Sequence, residues 1–200
     1  MKLGYAAAAI ALAAFGFGHA AQATPVQWSG NGHYYELITT ALDYDQADAA
    51  ASASTYNGLT GYLATISSSA ENTFVANLIQ DTVGNDQAEA YIGSSNLLDG
   101  QWRFQAGPEH GQLMSFLSFE PGEPNNVGDS EHYLELYGYS LPDGPFAVWN
   151  DVNGALAFRY VVEYGTSVAQ TPLPATLPLM ASAIGGLGFV GWRRRTLNAL

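Results

Sequence analysis

The sequence predicts an α+β fold in which a helical layer stands apart from short, antiparallel strands. Two observations carry this expectation. Residues 43–79 contain two stretches with helix-start and helix-spacing chemistry, and from Ala90 onward the apolar residues come in short pieces divided by turns.

In chain order, the turn-forming residues 29–32 follow Trp28, and 33–38 is aromatic and β-branched, which reads as a strand. Residues 43–54 read as a helix packed closely through Ala47, Ala50 and Ala51, with acids near its start. Gly58 and Gly61 break it, and 62–66 is a second short strand. Ser68 and Glu71 have the spacing of a capping box, in which each side chain satisfies the other's free amide. The helix they open runs through Phe74, Val75, Leu78 and Ile79. Short strand-like pieces follow at 91–93, 102–104, 116–119, 133–137, 146–149 and 158–164. Residues 107–145 are rich in glycine, proline and polar side chains, so much of that span is expected to be loop, and long ordered loops are usually functional.

Both ends point to export. Lys2, the apolar run 6–17 and the small residues Ala21 and Ala23 form a leader of residues 1–23 with Thr24 as the mature start. A buried N-terminal helix is the alternative, but so alanine-rich a run offers little packing face. Residues 175–192 carry no charge and are followed by Arg193, Arg194 and Arg195. That length lies near the lower limit for spanning a bilayer, about 17 to 25 residues, and the arginines are expected on the cytoplasmic side. The expected organisation is a leader (1–23), one folded domain (24–165), a proline-containing linker (166–174) and an apolar tail with its arginine cluster (175–200).

Of the six Lys and Arg, only Arg103 and Arg159 fall in the folded part, against all 18 Asp and Glu. Nucleic acid is a poor partner for such a surface, because Lys and Arg supply most non-specific affinity for phosphate. Bound cations are a natural one. The chain has no cysteine, so disulfides and thiolate metal sites are excluded and a packed core must supply stability.

Glu123, Asn125 and, eight positions after the first, Glu131 sit in the loop-rich span, and Asn150 and Asp151 follow Trp149 on a later strand piece. Three carboxylates and two amides make an oxygen set suited to calcium, with room for outside ligands. Zinc prefers His and Cys.

The EPN triplet at 123–125, the glutamate eight residues on and the WND triplet at 149–151 resemble the primary calcium site of C-type lectins. The resemblance spans residues 28–164. It includes 61–66 with 69–74 for the family's "GGHLATI…S..E..F" stretch, 91–93 for "WIG", 100–104 for "G.W.W" and 116–126 for "NW..GEPNN". It implies the C-type-lectin-like fold, with two helices, small antiparallel sheets and a long calcium-binding loop region. It further implies that Glu123, Asn125, Glu131, Asn150 and Asp151 are both the Ca2+ ligands and the carbohydrate-binding residues. In sugar-binding relatives two vicinal hydroxyls of a hexose join the calcium while the same side chains hydrogen-bond them. A cis Glu123–Pro124 bond and mannose-, glucose- or fucose-type diols go with the EPN version; galactose goes with QPD. Tyr133, Gly154 and Val162 stand where disulfide-bearing relatives have cysteine. An auxiliary calcium site would map near Asn96, Asp99, Asn126 and His132, where amides and a histidine replace acids, which argues against it.

No catalytic residue is assigned. Glu123 and Glu131 could be read as a glycosidase pair, but both are better used as metal ligands. His33, His110 and His132 have no zinc-site spacing. Trp149 reads as core beside the site, and Tyr137 and Tyr139 as packing, with sugar stacking as the lesser alternative. The tail, with Pro172, Pro174, Pro178 and the arginine cluster, resembles the PEP-CTERM sorting signal of Gram-negative bacteria, of the VPLPA type, with Thr171 where valine is usual. That resemblance implies a transient membrane anchor and processing by an exosortase-type enzyme; a permanent anchor is the alternative. Two functions stay open: a calcium-dependent lectin of the cell surface or exopolysaccharide matrix, and a calcium-stabilised adhesion or scaffold domain without sugar recognition.

Overall fold

The computed structural model describes residues 24–84, 88–139 and 146–166. The expected leader and nearly all of the expected linker and tail lie outside them. Among the described residues no helix is long and apolar enough to cross a membrane.

The elements run β1 (Val26–Gln27), β2 (Tyr34–Leu42), α1 (Tyr44–Ala53), β3 (Thr55–Tyr56), β4 (Leu59–Leu63), α2 (Ser69–Val83), β5 (Glu89–Ser95), β6 (Arg103–Phe104), β7 (Tyr133–Tyr137), β8 (Trp149–Val152) and β9 (Phe158–Tyr164). The sheet order is β1-β2-β9-β5-β7-β8, with β4 and β6 joined at its sides. The architecture is α+β, as the sequence predicts, but two details correct it. The strands form one connected sheet rather than several small ones, and β5 pairs with β9 in parallel.

Strand alternation explains how one sheet serves two cores. On β9, Tyr160, Val162 and Tyr164 join the cluster that receives Ala47 and Ala51 of α1, whereas Val161 joins the cluster beneath Val75, Ala76 and Ile79 of α2. The two helices therefore cover opposite faces. Asp43 caps α1, its side chain accepting from the amide of Gln46 at 2.8 Å. The helix lies close to β4 at Gly61, where a Cβ would meet the Ala51 carbonyl.

Helix α2 buries Glu71, Asn72, Val75, Ala76 and Ile79, a stripe at 3–4 residue spacing. Its cap is half of the expected capping box. Ser68 accepts from the Glu71 amide at 3.3 Å, but the Glu71 carboxylate turns inward, taking the Ser67 amide at 2.8 Å and the Tyr35 hydroxyl at 2.6 Å. Tyr35 also reaches Glu163, whose carboxylate holds His33 at 2.6 Å and the Thr65 amide at 2.9 Å. This buried polar network ties β2, α2 and β9 together.

In place of a bridge at the expected cysteine positions stands aromatic packing. Tyr133 stacks on Tyr44 with centroids 3.9 Å apart, and Tyr44 meets Tyr91 edge-on at 5.2 Å. Gly154 makes room, since a Cβ there would run into the Tyr133 ring.

Candidate functional site

The site-bearing loop hangs between two anchors. On one side β8 is bolted to α2: the buried amide of Asn72 donates to the Ala147 carbonyl at 2.5 Å and accepts from the Trp149 indole at 2.8 Å. Trp149 is fully buried, so its place is the core, as the sequence indicates. On the other side, the Glu120 amide donates to the Trp149 carbonyl and the Trp149 amide to the Ser118 carbonyl. Residues 116–119, expected as a strand, contribute only a bridge from Phe119 to Trp149.

Between these anchors the chain turns sharply. The Glu123–Pro124 bond is cis. Asn126 takes the left-handed conformation at φ 47°, ψ 53°, which asparagine tolerates through local hydrogen bonds. Its side-chain oxygen accepts from the Glu131 amide at 3.0 Å. A single 3-10 turn, Val127–Asp129, closes the loop.

Three of the five expected ligands meet directly. The Asp151 carboxylate accepts from the amides of Asn125 at 3.0 Å and Asn126 at 2.9 Å, pinning the loop to β8. Asn125 returns to Glu123, its side-chain nitrogen at 2.7 Å and its amide at 3.0 Å. Glu131 joins through the loop backbone: its carboxylate accepts from the Val127 amide at 2.7 Å, and that amide also lies 3.1 Å from the Asn125 side-chain oxygen. The Asn150 side-chain nitrogen donates to Glu135 at 3.0 Å rather than to this cluster.

Among the described residues no three acidic or histidine side chains gather closely enough to form a metal centre, but Glu123 and Asp151 lie close enough to interact. Glu123 is raised above the ordinary carboxylate range, first by burial and then by the hydrogen bond and charge of Asp151. Two such neighbours call for a proton or a cation between them. The donors are oxygen only, which fits calcium and not zinc.

Glu135 escaped the sequence reading. It stands between Leu134 and Leu136 on β7 and reads as the solvent side of an alternating strand, yet it is 3 % exposed. Burial pushes its carboxyl up to about 7. The detectable signal was Tyr137 two places on, the same face of the strand, whose hydroxyl donates to Glu135 at 3.2 Å. Tyr139 donates to Glu89 at 3.2 Å, and the two tyrosine rings lie 5.3 Å apart, so both serve packing and local bonds.

The remaining candidates disperse. His33 bonds Glu163, His110 the Gln105 carbonyl and His132 the Asn96 side chain. Of the proposed auxiliary set, Asp99 is engaged by Arg103 at 2.6 Å. An open cavity of about 580 Å3 beside the loop, bordered by Asp43, Asp45, Ser130 and His132, includes none of the five expected ligands.

Two helices on opposite faces of a mixed sheet, with a long loop region secured to a WND strand, define the C-type-lectin-like fold. The chain is similar in structure to the C-type lectin CEL-I from Cucumaria echinata, with a TM-score of 0.57 and 20% identity, covering 72% of this chain and 99% of that one. Human lithostathine matches at TM-score 0.56 and 22% identity, over 71% of this chain and 88% of the other. A Ca2+-dependent type II antifreeze protein, in its Ca2+-free form, matches at 0.53 and 17% identity, over 70% and 95%. In sequence, the chain is 31% identical over 156 residues to halomucin of Haloquadratum walsbyi. That region is 72% of this chain, which spans about 2% of halomucin's length. No family model matches the chain.

Proposed function

We propose that this domain is a calcium-dependent carbohydrate-binding protein, exported to the cell surface or an exopolysaccharide matrix, with mannose- or glucose-type diols as its ligands. The observation that carries this reading is the convergence of Glu123, Asn125 and Asp151 on a loop whose backbone is already held in place. Glu123, Asn125, Glu131, Asn150 and Asp151 would hold the ion. Calcium, when bound, supplies open coordination positions for two vicinal hydroxyls. The chain's own carboxylates would then accept from those hydroxyls and its amides donate to them. The domain is a binding module and not an enzyme. Export, transient anchoring by 175–200 and exosortase-type processing rest on the end segments.

A second reading is favoured by one observation. Both Asp151 oxygens are occupied by loop amides, as suits a calcium-stabilised adhesion or scaffold domain. A glycan array probed with and without chelator separates the two. Chelator-sensitive binding to mannose- or glucose-bearing glycans supports the lectin; calcium uptake with no glycan bound supports the scaffold.

A further inference from the structure

The geometry points to Glu135 as a positioning residue that presents Asn150 to the calcium site as an oxygen donor. Glu135 and Asn150 are register partners across β7 and β8. The flanking Leu134 and Leu136 lie in the apolar core, so strand alternation puts Glu135 on the opposite face. There it is nonetheless almost fully buried.

Its two oxygens are treated differently. Oε1 accepts from the Asn150 side-chain nitrogen at 3.0 Å and from the Tyr137 hydroxyl at 3.2 Å. Oε2 is buried with no hydrogen-bond partner among the described residues. A buried acceptor left unsatisfied is destabilising, so a Glu at this position works against the stability of the free domain. Leucine or valine would suit the site better if packing were its only demand.

The chemistry of the contact supplies the reason. Oε1, which also takes the Tyr137 hydroxyl, acts as an acceptor and so selects the nitrogen end of the Asn150 amide. A carboxamide carries nitrogen and oxygen on opposite sides of its carbon, and with nitrogen committed to Glu135 the oxygen is the free end. Calcium takes oxygen and never an amide N–H. The hydrogen bond to the carboxyl oxygen behind the amide also polarises it and makes the amide oxygen a better ligand, as outer carboxyl groups do for other metal-bound side chains. This inference rests on the calcium reading of the site.

The test is a calorimetric calcium titration of the full chain as wild type, E135Q, E135L, N150A and the N150A/E135L double variant, with thermal melts in chelator. E135L is expected to weaken calcium binding roughly 10- to 100-fold, and its melt in chelator reads separately what the lost contacts to Tyr137 and Asn150 cost the fold. E135Q, which keeps an acceptor oxygen but no charge, is expected to lose less. The double variant is expected to bind no more weakly than N150A, because Glu135 acts through Asn150. Wild-type affinity in E135L, or losses that multiply in the double variant, overturns the proposal. Should E135L not fold, E135Q decides: weakened binding supports the role and wild-type affinity overturns it. A wild type that takes up no calcium removes the site reading and this inference together; a calcium-binding wild type with an unaffected E135L removes this inference alone.

Discussion

Asp151 and Glu123 sit side by side but carry different loads, and substitutions separate them. Asp151 is fully buried and satisfies two loop amides. In D151N one of those amides faces an NH2 group, and a donor left unsatisfied costs about 1–3 kcal/mol. Glu123 is instead more exposed than Asp151, and its carboxyl is raised first by burial and then by Asp151. E123Q also turns an NH2 group toward one of its two Asn125 donors, but there water can replace the lost acceptor, and the substitution relieves repulsion with Asp151. We therefore expect D151N to lower both the melting temperature in chelator and the calcium affinity, and E123Q to lower the affinity alone. Melts in chelator beside calcium titrations check this, and equal destabilisation by both variants would contradict it. The residue scale is also where sequence reading fell short. EPN and WND were legible as motifs, but the hand-off from Asn150 to Glu135 depends on cross-strand register, which local sequence does not display.

Elements were legible where their ends carry chemistry. The acid cap at Asp43 and the serine cap at Ser68 marked both helices, and turn residues framed β7 and β9 so well that their bounds match the expectation. The strand expected at 146–149 instead begins at Trp149, because Ala147 turns at φ 60° and the polar Asn150 and Asp151 belong to the strand. A two-residue element such as β3 has no period to read. The parallel contact of β5 with β9 is set by the whole topology and left no local trace. At this scale the cysteine-free packing makes its own prediction. G154A puts a methyl against the Tyr133 ring and disturbs its stack on Tyr44. Such overpacking costs typically about 1–3 kcal/mol, and each kcal/mol lowers the melting temperature by roughly 2–4 °C in a domain of this size. An unchanged melt for G154A would show that the ring moves aside freely.

The whole molecule is acidic, and three buried carboxyls add a pH dependence to its stability. Glu36, Glu71 and Glu135 are all raised, by burial first in each case. A raised folded-state pKa means the native state holds the proton more tightly than the unfolded chain. The contribution is full below the ordinary carboxylate value of about 4.5 and is lost as pH rises through the folded values, about 7 for Glu135. In chelator the melting temperature is expected to fall between pH 5.5 and pH 8, and E135Q to flatten that fall. Calcium acts in the other direction: a ligand that binds only the native state raises stability by about 2.7 kcal/mol at a hundredfold excess over its dissociation constant. A melt independent of pH across this window would remove the buried carboxyls as its cause.

The measurement that bears most directly on the central claim is competition by free monosaccharides for protein held on a mannose matrix, run in calcium and in chelator. Calcium-dependent retention, released by mannose or glucose at lower concentration than by galactose, is the predicted result. Retention that persists in chelator, or a calcium-loaded protein that no neutral sugar displaces or binds at high millimolar concentration, would contradict the account.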